Sequence, residues 1–414
     1  MVELLIIADD LTGAIDTGVQ LAKQGISTTI IHHPKTNLQK LLDEIDSTVL
    51  VFNTESRHIQ KQEAAKRVAN VVKVSKAKGI KRFYKKTDST MRGNIGAELD
   101  AFLKETGQNS IPFIPAHPKL KRFTKNGYHY IGEQLLHETE FGNDPLEPIK
   151  VSFLPHLLQK QSSLEIKLIT TSDYDSIPEN EGIQVFDCHS EKELEKIGSI
   201  LFKNDLQNSI AGSAAMCEVL PVLFHLKSDK VNPPKLYEPT LIVNGSLNKI
   251  SLSQVRYAYE KGIKTITIPL ELLYDSKFKK NQSFPFLIAE IQKEIATEHN
   301  IILSSSNFQS ETHNQNFSES HYEFMSTQIG SVVAAILNEL QIGTLVVFGG
   351  DTLMRTMNSM DCQYITPKWE ILPGVALSLV SLKKSAIHIV TKPGGYGENN
   401  VILQLLNYIK KSNL

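Results

Sequence analysis

The sequence has few cysteines, no long apolar run and almost no net charge, and each scarcity argues against a class of protein. Its 414 residues include only Cys188, Cys217 and Cys362, which lie far apart and form no C-x-x-C pair. This pattern argues against a disulfide framework and against a zinc site of common spacing. No apolar run approaches the roughly 20 residues that a membrane span needs. Lys and Arg number 44 against 45 Asp and Glu, which argues against nucleic-acid binding through bulk positive charge.

The opening segment MVELLIIADD also lacks the features of a secretory signal peptide, whose apolar region runs to about 7–15 residues. Charged residues make up 21% of the chain, and its apolar content is that of an ordinary globular protein. We therefore expect a cytoplasmic protein with reduced thiols and no membrane or nucleic-acid partner. The sequence leaves open whether the chain forms a homo-oligomer.

Strand-like and helix-like segments alternate along the first 117 residues. Short apolar runs such as Leu4–Ala8 are followed by apolar residues at helical spacing, which predicts parallel βαβ units with helices on both sheet faces. A second pattern of this kind begins near Tyr237, after the linker-like segment Val231-Asn232-Pro233-Pro234. The predicted fold is α/β with two domains, 1-232 and 237-414, each a largely parallel sheet covered by helices. Between the regular segments we expect loops at Lys119–Gly127 and at the Ser-, Asn- and Gln-rich Ser304–Ser320.

Polar residues follow the predicted strands of the first half where each strand ends. Asp9 and Asp10 follow the first strand, Asn53 the third and His117 the fifth. Open α/β sheets bind ligands outside the carboxyl ends of their strands, so these distant residues are expected to meet at one cleft.

The first of these clusters contains three carboxylates within eight residues, at Asp9, Asp10 and Asp16. Asp10 or Thr12 could cap the following helix, but a helix has only one such cap, so capping does not explain the whole cluster. Clustered carboxylates repel one another unless a cation or polyol hydroxyls lie among them, so the cluster favours a binding site.

A second segment, KKTDSTMRGN at 85–94, places Asp88, Ser89, Arg92 and Gly93 at a strand end before a helix. Arg92 can bind a carboxylate with two hydrogen bonds, and the backbone N–H groups at the helix start add donors. The alternative is a capped helix with a surface arginine. Together the two segments suit a small hydroxylated carboxylic acid. The predicted substrate-binding residues are Asp9, Asp10, Thr12, Asp16, Asn53, Asp88, Ser89, Arg92, Gly93 and Arg122.

The second half contains two strands that end in glycine pairs before helices. Glycine lets the backbone approach an anion closely, and the following helix adds the positive end of its dipole. Two tight turns are the alternative for either loop alone. Neither G-x-x-x-x-G-K-[ST] nor G-x-G-x-x-G is present, so this is not a common nucleotide loop. The predicted nucleotide-binding residues are Ser246, Gly349, Gly350, Asp351, Thr352, Lys392, Gly394, Gly395 and Gly397.

Six segments together resemble the four-carbon acid sugar kinases. They are, in the order of that family, IADDLTGAIDTG, KKTDSTMRGNIGAEL, NGSLNKISLSQV, FGGDT, ILPGVALS and TKPGGYG. The resemblance covers nearly the whole chain and implies an N-terminal sugar-acid-binding domain and a C-terminal nucleotide-binding domain. It also implies transfer of phosphate from ATP to the terminal hydroxyl of D-threonate, D-erythronate or a 3-oxo-tetronate, and the first segment is closest to the threonate and erythronate branch.

The resemblance and the residue patterns agree on a kinase that uses ATP and Mg²⁺ and has its active site in the interdomain cleft. Asp351 and Asp10 compete for the role of the group that activates the hydroxyl, and the ligands of the metal stay open. Two rival classes are a phosphatase with an aspartate nucleophile and a non-catalytic sugar-acid sensor. The adjacent Asp9 and Asp10 do not match the D-x-D spacing of the common aspartyl-phosphate enzymes.

Overall fold

The computed structural model describes residues 2–33, 36–144, 147–177, 181–246, 248–305, 319–362, 364–382 and 385–412. The loop predicted at Ser304–Ser320 lies mostly outside these residues. The chain divides into two compact units, 1–231 and 232–414. No helix in the described part of the chain is both long and apolar enough to cross a membrane.

The first unit is built on a sheet of eight parallel strands, in the order β2-β3-β1-β4-β11-β5-β10-β9. The three remaining strands form a small antiparallel sheet, β6-β7-β8. The strands are β1 (Leu4–Ala8), β2 (Thr28–Ile31), β3 (Val49–Asn53), β4 (Arg82–Lys86), β5 (Ser110–Ile114), β6 (Arg122–Lys125), β7 (Tyr128–Ile131), β8 (Gln134–Leu135), β9 (Ile166–Ile169), β10 (Gly182–Phe186) and β11 (Ser209–Gly212).

Helices cover both faces of this sheet, as the continuous apolar runs predict. Asp10 caps the first helix by accepting a hydrogen bond from Gly13, and Gly107 ends the fourth with a left-handed backbone, φ 73°. The helices are α1 (Leu11–Ala22), α2 (Leu38–Glu44), α3 (Lys61–Ala77), α4 (Ile95–Thr106), α5 (Leu154–Gln159), α6 (Glu191–Lys203) and α7 (Leu220–Leu223).

The prediction of a loop at Lys119–Gly127 was wrong, because the hairpin β6-β7 occupies residues 122–131. Its turn at Asn126 and Gly127 has positive φ at both residues, and both backbone N–H groups donate to Asp187. Asn-Gly is a strong local signal for a two-residue hairpin turn, and it was not used in the prediction. The long-range contact with the Asp187 carboxylate stabilises the turn further.

In the described residues, the second unit has a seven-stranded sheet in the order β13-β14-β12-β15-β18-β17-β16. The first five strands pair in parallel, and β17 pairs antiparallel with both β18 and β16. Its core combines strand residues such as Ile242, Val346 and Val390 with apolar residues of the helices. The strands are β12 (Thr240–Asn244), β13 (Lys264–Thr267), β14 (Asn300–Ser304), β15 (Thr344–Phe348), β16 (Tyr364–Leu372), β17 (Val375–Ser381) and β18 (Ala386–Lys392). The helices are α8 (Lys249–Glu260), α9 (Leu270–Tyr274), α10 (Ser283–Glu298), α11 (Glu319–Glu339), α12 (Gly350–Ser359) and α13 (Val401–Ser412).

The architecture confirms the α/β prediction, since each unit has a largely parallel sheet with helices. In a parallel sheet the carboxyl ends of all strands share one edge, and this edge carries the predicted polar residues in both units.

Candidate active site

In the first unit, an arginine joins the two adjacent carboxylates that follow β1. Arg57 Nε donates to Asp9 Oδ2 at 2.7 Å, and its Nη1 lies 2.8 Å from Asp10 Oδ2. Arg57 and Asp9 are both buried, with 8% and 3% of their surfaces exposed. Burial alone would raise the pKa of Asp9, but the positive charges of Arg57, Lys85 and Lys86 outweigh it and lower that pKa. The Asp9 carboxylate therefore stays ionised in a buried place beside three cations.

Arg57 was not among the predicted site residues, and its position depends on contacts between distant segments. The loop after β3 is tied to the end of β1, because Ser56 N donates to Asp9 O at 2.9 Å. Asn94 Nδ2 holds the same loop through Ser56 O at 2.9 Å and Ile59 O at 2.8 Å. The only local signal was an arginine four residues past Asn53, near a strand end.

A second buried ion pair lies beside Asp9. Lys85 Nζ is 2.9 Å from Glu98 Oε2, with at most 1% of either side chain exposed, and Ser56 Oγ donates to Glu98 Oε1. Burial and the nearby charge of Asp9 raise the pKa of Glu98, while Lys85 opposes the rise. This pair therefore supports the loop that carries Arg57.

The predicted residues after β4 form a network of their own. Arg92 Nε donates to Asp88 Oδ2 at 2.6 Å, and Thr90 Oγ1 donates to the same oxygen at 2.5 Å. Burial would raise the pKa of Asp88, but the charges of Arg92 and Arg57 hold it well below its usual range. Arg122 Nη1 donates to Ser89 Oγ at 2.5 Å, so the hairpin β6-β7 reaches the same strand end.

Two rings complete this corner of the site. Phe141 lies under both guanidinium groups, with its centroid 5.5 Å from Arg92 Cζ and 5.8 Å from Arg122 Cζ. His129 Nε2 lies 2.9 Å from Ser89 O, and burial lowers the pKa of His129 to about 4. The imidazole is therefore neutral near pH 7.

Four predicted residues have different local roles. The Asn53 amide is engaged within its own loop, donating to His32 O at 2.9 Å and Glu55 Oε1 at 2.6 Å. Gly93 has φ 92°, and a Cβ there would lie 3.1 Å from Arg57 Cγ, so the glycine lets this arginine pass. Thr12 and Asp16 lie in the first half of α1 and are half-buried. Direct contact of these four residues with a substrate stays a prediction.

Two buried polar atoms at this edge have no hydrogen-bond partner among the described residues. They are Asp9 Oδ1, after β1, and His117 Nδ1, after β5. Buried polar atoms are rarely left unpaired, and an unpaired one points to a missing ligand or water. A cavity of about 390 Å³ also reaches this region, lined by Arg57, Met91, Gly93 and Asn94 and by residues 147–151.

In the second unit, three strand ends meet at the glycine loops. A Cβ added to Gly394 would lie 2.5 Å from Ser246 Oγ, and one added to Gly349 would lie 3.4 Å from Ser246 Cβ. A Cβ on Gly245 would lie 2.0 Å from Thr352 Oγ1. The loops after β12, β15 and β18 are therefore packed closely: side chains at Gly245 and Gly394 would clash, and at Gly349 the positive φ of 103° disfavours a side chain.

Polar side chains hold the loop after β18 by its carbonyl groups. Gln254 Nε2 donates to the carbonyls of Tyr396, Gly397 and Glu398 at 2.8–3.1 Å, and Ser251 Oγ donates to Gly394 O at 2.7 Å. Lys392 Nζ donates to Pro393 O at 2.7 Å and to Tyr396 O at 2.8 Å. Within the described residues, the backbone N–H groups of Gly394 and Gly395 donate no hydrogen bond. The loop thus has its carbonyls occupied and N–H donors available, as an anion site requires.

Lys392 supports this loop from its buried side. Only 2% of it is exposed, its ammonium lies 4.5 Å from the centroid of Phe348, and burial lowers its pKa to about 7. Its ammonium thus contacts mainly loop carbonyls, and direct contact of Lys392 with a phosphate stays a prediction.

The first turn of α12 presents a second set of donors. Its cap residue, Gly349, has φ 103° and no side chain to accept the hydrogen bonds of the helix start. The helix dipole and these N–H groups favour an anion. Asp351 is exposed in the same turn, and no hydrogen bond or ion pair of its carboxylate is found among the described residues. One carboxylate beside bound phosphates is a usual arrangement for Mg²⁺.

Both halves of the chain match family models. Residues 4–220 match the model described as a sugar-binding N-terminal domain, and residues 241–402 match the nucleotide-binding C-terminal domain. The chain belongs to the four-carbon acid sugar kinase family. The resemblance found in the sequence is thereby confirmed. The protein is a kinase, a phosphotransferase with an alcohol group as acceptor and ATP as donor.

Curated relatives match along the whole chain. A D-threonate kinase from Salmonella typhimurium is 26% identical, and the match covers 99% of this chain and 99% of the relative. A D-erythronate kinase from Heliobacterium modesticaldum is 24% identical, and the match covers 99% of this chain and 97% of the relative. A solved Salmonella typhimurium structure, named a putative tRNA synthase, aligns with a TM-score of 0.80 at 22% identity, covering 98% of this chain and 99% of that one. At this identity the structural likeness supports the fold alone.

Proposed function

We propose that this kinase phosphorylates the terminal hydroxyl of D-threonate or D-erythronate, using ATP and Mg²⁺. The proposal rests mainly on one observation: buried carboxylates and cations lie together at the carboxyl ends of the strands in the first unit. Carboxylates accept hydrogen bonds from the hydroxyls of a sugar acid, and a cation binds its carboxylate. The relatives named D-threonate kinase and D-erythronate kinase, which match over nearly their full length, support these two substrates.

The nucleotide is proposed to bind at the second unit. The N–H donors of Gly394 and Gly395 and the first turn of α12 would hold its phosphates. Asp351 would hold Mg²⁺ or accept the proton of the hydroxyl. Bound Mg²⁺ neutralises charge on the transferring phosphoryl group.

Asp9 and Asp10 are proposed to bind and orient the acceptor. Asp10 is already engaged on both oxygens, by Gly13 N at 2.8 Å and by Arg57. One buried oxygen of Asp9 has no hydrogen-bond partner within the described part of the chain, and a substrate hydroxyl would supply one. Transfer of a phosphoryl group depends mainly on such positioning and on charge neutralisation.

A panel of four-carbon acids tests the substrate. Release of ADP should be measured with ATP, Mg²⁺ and D-threonate, D-erythronate, their L isomers and the 3-oxo acids. We expect kcat/KM to be greatest for D-threonate or D-erythronate. A preference for a 3-oxo-tetronate would assign the chain to that other activity, which the relatives with that name share.

A further inference from the structure

The cations at the carboxyl edge of the first sheet differ in whether a carboxylate of the chain neutralises them. Arg57 is paired with Asp9 and Asp10, Lys85 with Glu98, and Arg92 with Asp88. For Lys86, by contrast, no carboxylate oxygen lies within 4.0 Å of Nζ in the described part of the chain, and only 4% of this residue is exposed.

The fold explains why two adjacent lysines have different surroundings. Successive side chains of a strand point to opposite faces, so Lys85 meets Glu98 of α4 and Lys86 points to the face that α1 covers. A Cβ added to Gly13 would lie 2.7 Å from Lys86 Nζ and 2.5 Å from Asp10 Oδ1, which places the ammonium against the first turn of α1. The only hydrogen bond of Lys86 Nζ found in the described chain is to Thr87 O, at 2.7 Å. Two of its three donor hydrogens therefore remain for a ligand.

A buried imidazole lies at the same edge. Lys86 pairs with Gly212 of β11, and Gly212 pairs with Ile114 of β5, three residues before His117. Only 4% of His117 is exposed, and its Nδ1 has no partner among the residues described. Burial, together with the charges of Arg122 and Lys86, lowers the pKa of His117 to about 3. The ring is therefore neutral and adds a polar atom without adding charge.

We propose that Lys86 is the ammonium group that binds the carboxylate of the sugar acid, and that His117 hydrogen-bonds the same end of the substrate. This assignment rests on the proposed function and moves the carboxylate from Arg92, whose guanidinium is held by Asp88, to Lys86. The charge of Lys86 acts on Asp9, but no described carboxylate contacts its ammonium directly. Burying an ammonium without a direct ionic partner is unfavourable, so a lysine kept in this position is explained by a ligand anion that contacts it. Asp9, which follows the neighbouring strand β1, then faces the hydroxyls.

The test compares an acid with its neutral counterpart, which has CH₂OH in place of the carboxylate. Affinities for D-threonate and threitol, and for D-erythronate and erythritol, are measured by titration calorimetry without ATP, for wild type and Lys86→Met. In the variant we expect the acid to bind about 10- to 150-fold more weakly, the range for a lost charged hydrogen bond. We expect the affinity for the neutral tetritol to change less than about 2-fold and the KM for ATP to stay unchanged.

Two control variants separate this role from a structural one. Lys81→Met removes an exposed lysine just before the amino end of the same strand and should leave both affinities unchanged. Lys85→Met leaves buried Glu98 unpaired and should lower the melting temperature, whereas Lys86→Met should maintain or raise it. Weaker binding after Lys86→Met with a lowered melting temperature would point to a structural role and overturn the assignment.

The outcomes also separate this inference from the proposed function. Equal loss for acid and tetritol, or a raised KM for ATP, would overturn the role of Lys86 while leaving the sugar-acid kinase activity in place. If the wild-type protein neither binds nor phosphorylates any four-carbon acid, the proposed function fails, and the assignment of Lys86 fails with it.

Discussion

At the scale of single residues, the structure gives different surroundings to the two aspartates that compete for activation of the hydroxyl. Asp10 caps α1 and contacts Arg57, so its carboxylate is held in place before any substrate arrives. Asp351 is exposed at the start of α12, beside the loops proposed to bind phosphate. A fixed carboxylate suits binding of hydroxyls in both ground and transition states, whereas a carboxylate near the phosphates suits action in the transition state.

We therefore expect the two asparagine variants to affect different kinetic constants. Asp10→Asn should raise the KM for the sugar acid, while Asp351→Asn should lower kcat by about 10²-fold or more, the size of a general acid–base contribution. Steady-state kinetics at several Mg²⁺ concentrations check this, because rescue by high Mg²⁺ would assign Asp351 to the metal instead. A collapse of kcat in Asp10→Asn with active Asp351→Asn would move the catalytic role to the first unit.

The residues that could be predicted from the sequence share one property, which is their place directly after a strand. Asp9, Asp10 and Asp88 were found in this way because a polar residue after an apolar run is visible locally. His117 was noted in the same way, after the fifth strand. Arg57 was missed, because its position depends on the hydrogen bonds that tie its loop to β1 and to Asn94. Such contacts become visible only when the chain is folded.

At the scale of elements, α8 has a function beyond covering its sheet. Ser251 and Gln254 lie on its buried side and together contact four carbonyl groups of the loop after β18. These contacts hold the loop in the conformation that leaves the N–H groups of Gly394 and Gly395 available. The helix thus preorganises the proposed phosphate site indirectly, because its side chains bind the carbonyls of the loop and leave the N–H groups available.

Removing this support should weaken nucleotide binding selectively. Gln254→Leu deletes three hydrogen bonds to the loop carbonyls while keeping a similar volume, and we expect the Kd for ATP to rise about 10-fold. Calorimetric titrations with ATP and with D-threonate check the selectivity. Gln404→Leu, an exposed position on α13, is the matched control and should leave both affinities unchanged. An unchanged Kd for ATP in a folded Gln254→Leu protein would remove this loop from the nucleotide site.

Parallel strands with their helices were predictable because each βαβ unit repeats a local alternation of apolar runs and helical spacing. The strands that the sequence analysis missed include the antiparallel ones. β16 and β17 form a hairpin with irregular register around Pro367 and Glu370, and most residues of β16 are only half-buried. A mixed pattern of this kind matches neither the continuous run of a buried strand nor clean alternation, so it is weak evidence before folding.

At the scale of the whole molecule, both units use the carboxyl edge of a parallel sheet, but with opposite chemistry. The edge of the first unit carries ionised side chains, and the edge of the second carries glycine backbone with few side chains. A small polyhydroxy acid requires specific hydrogen bonds from side chains, whereas phosphates bind well to backbone N–H groups and a helix start. This division agrees with the family descriptions of sugar-binding and nucleotide-binding domains.

Buried neutral histidines in the first unit make its stability depend on pH. The pKa values of His117 and His129 are about 3 and about 4 in the folded chain, against about 6.5 for an unfolded histidine. Between about pH 4 and 6.5 the unfolded state therefore binds more protons, and the free energy of unfolding falls as the pH falls. The lowered pKa values of Asp9 and Asp88 act in a different window, because their stabilisation is lost only below the ordinary aspartate pKa of about 3.9.

We expect His117→Gln to make the unfolding free energy less dependent on pH. Removing one group that titrates only in the unfolded state should reduce the slope by about 1.4 kcal/mol per pH unit in the middle of the window, between about pH 4.5 and 5.5. Urea titrations of the ligand-free protein at pH 7.0, 6.0, 5.0 and 4.5 measure the slope, with hydrogen exchange of β5 and α4 reporting on the first unit. His33→Gln, a half-buried histidine after β2, serves as the comparison variant. An identical slope in wild type and His117→Gln would show that His117 takes up its proton in the folded chain, and the neutral imidazole at the carboxylate site would then be wrong.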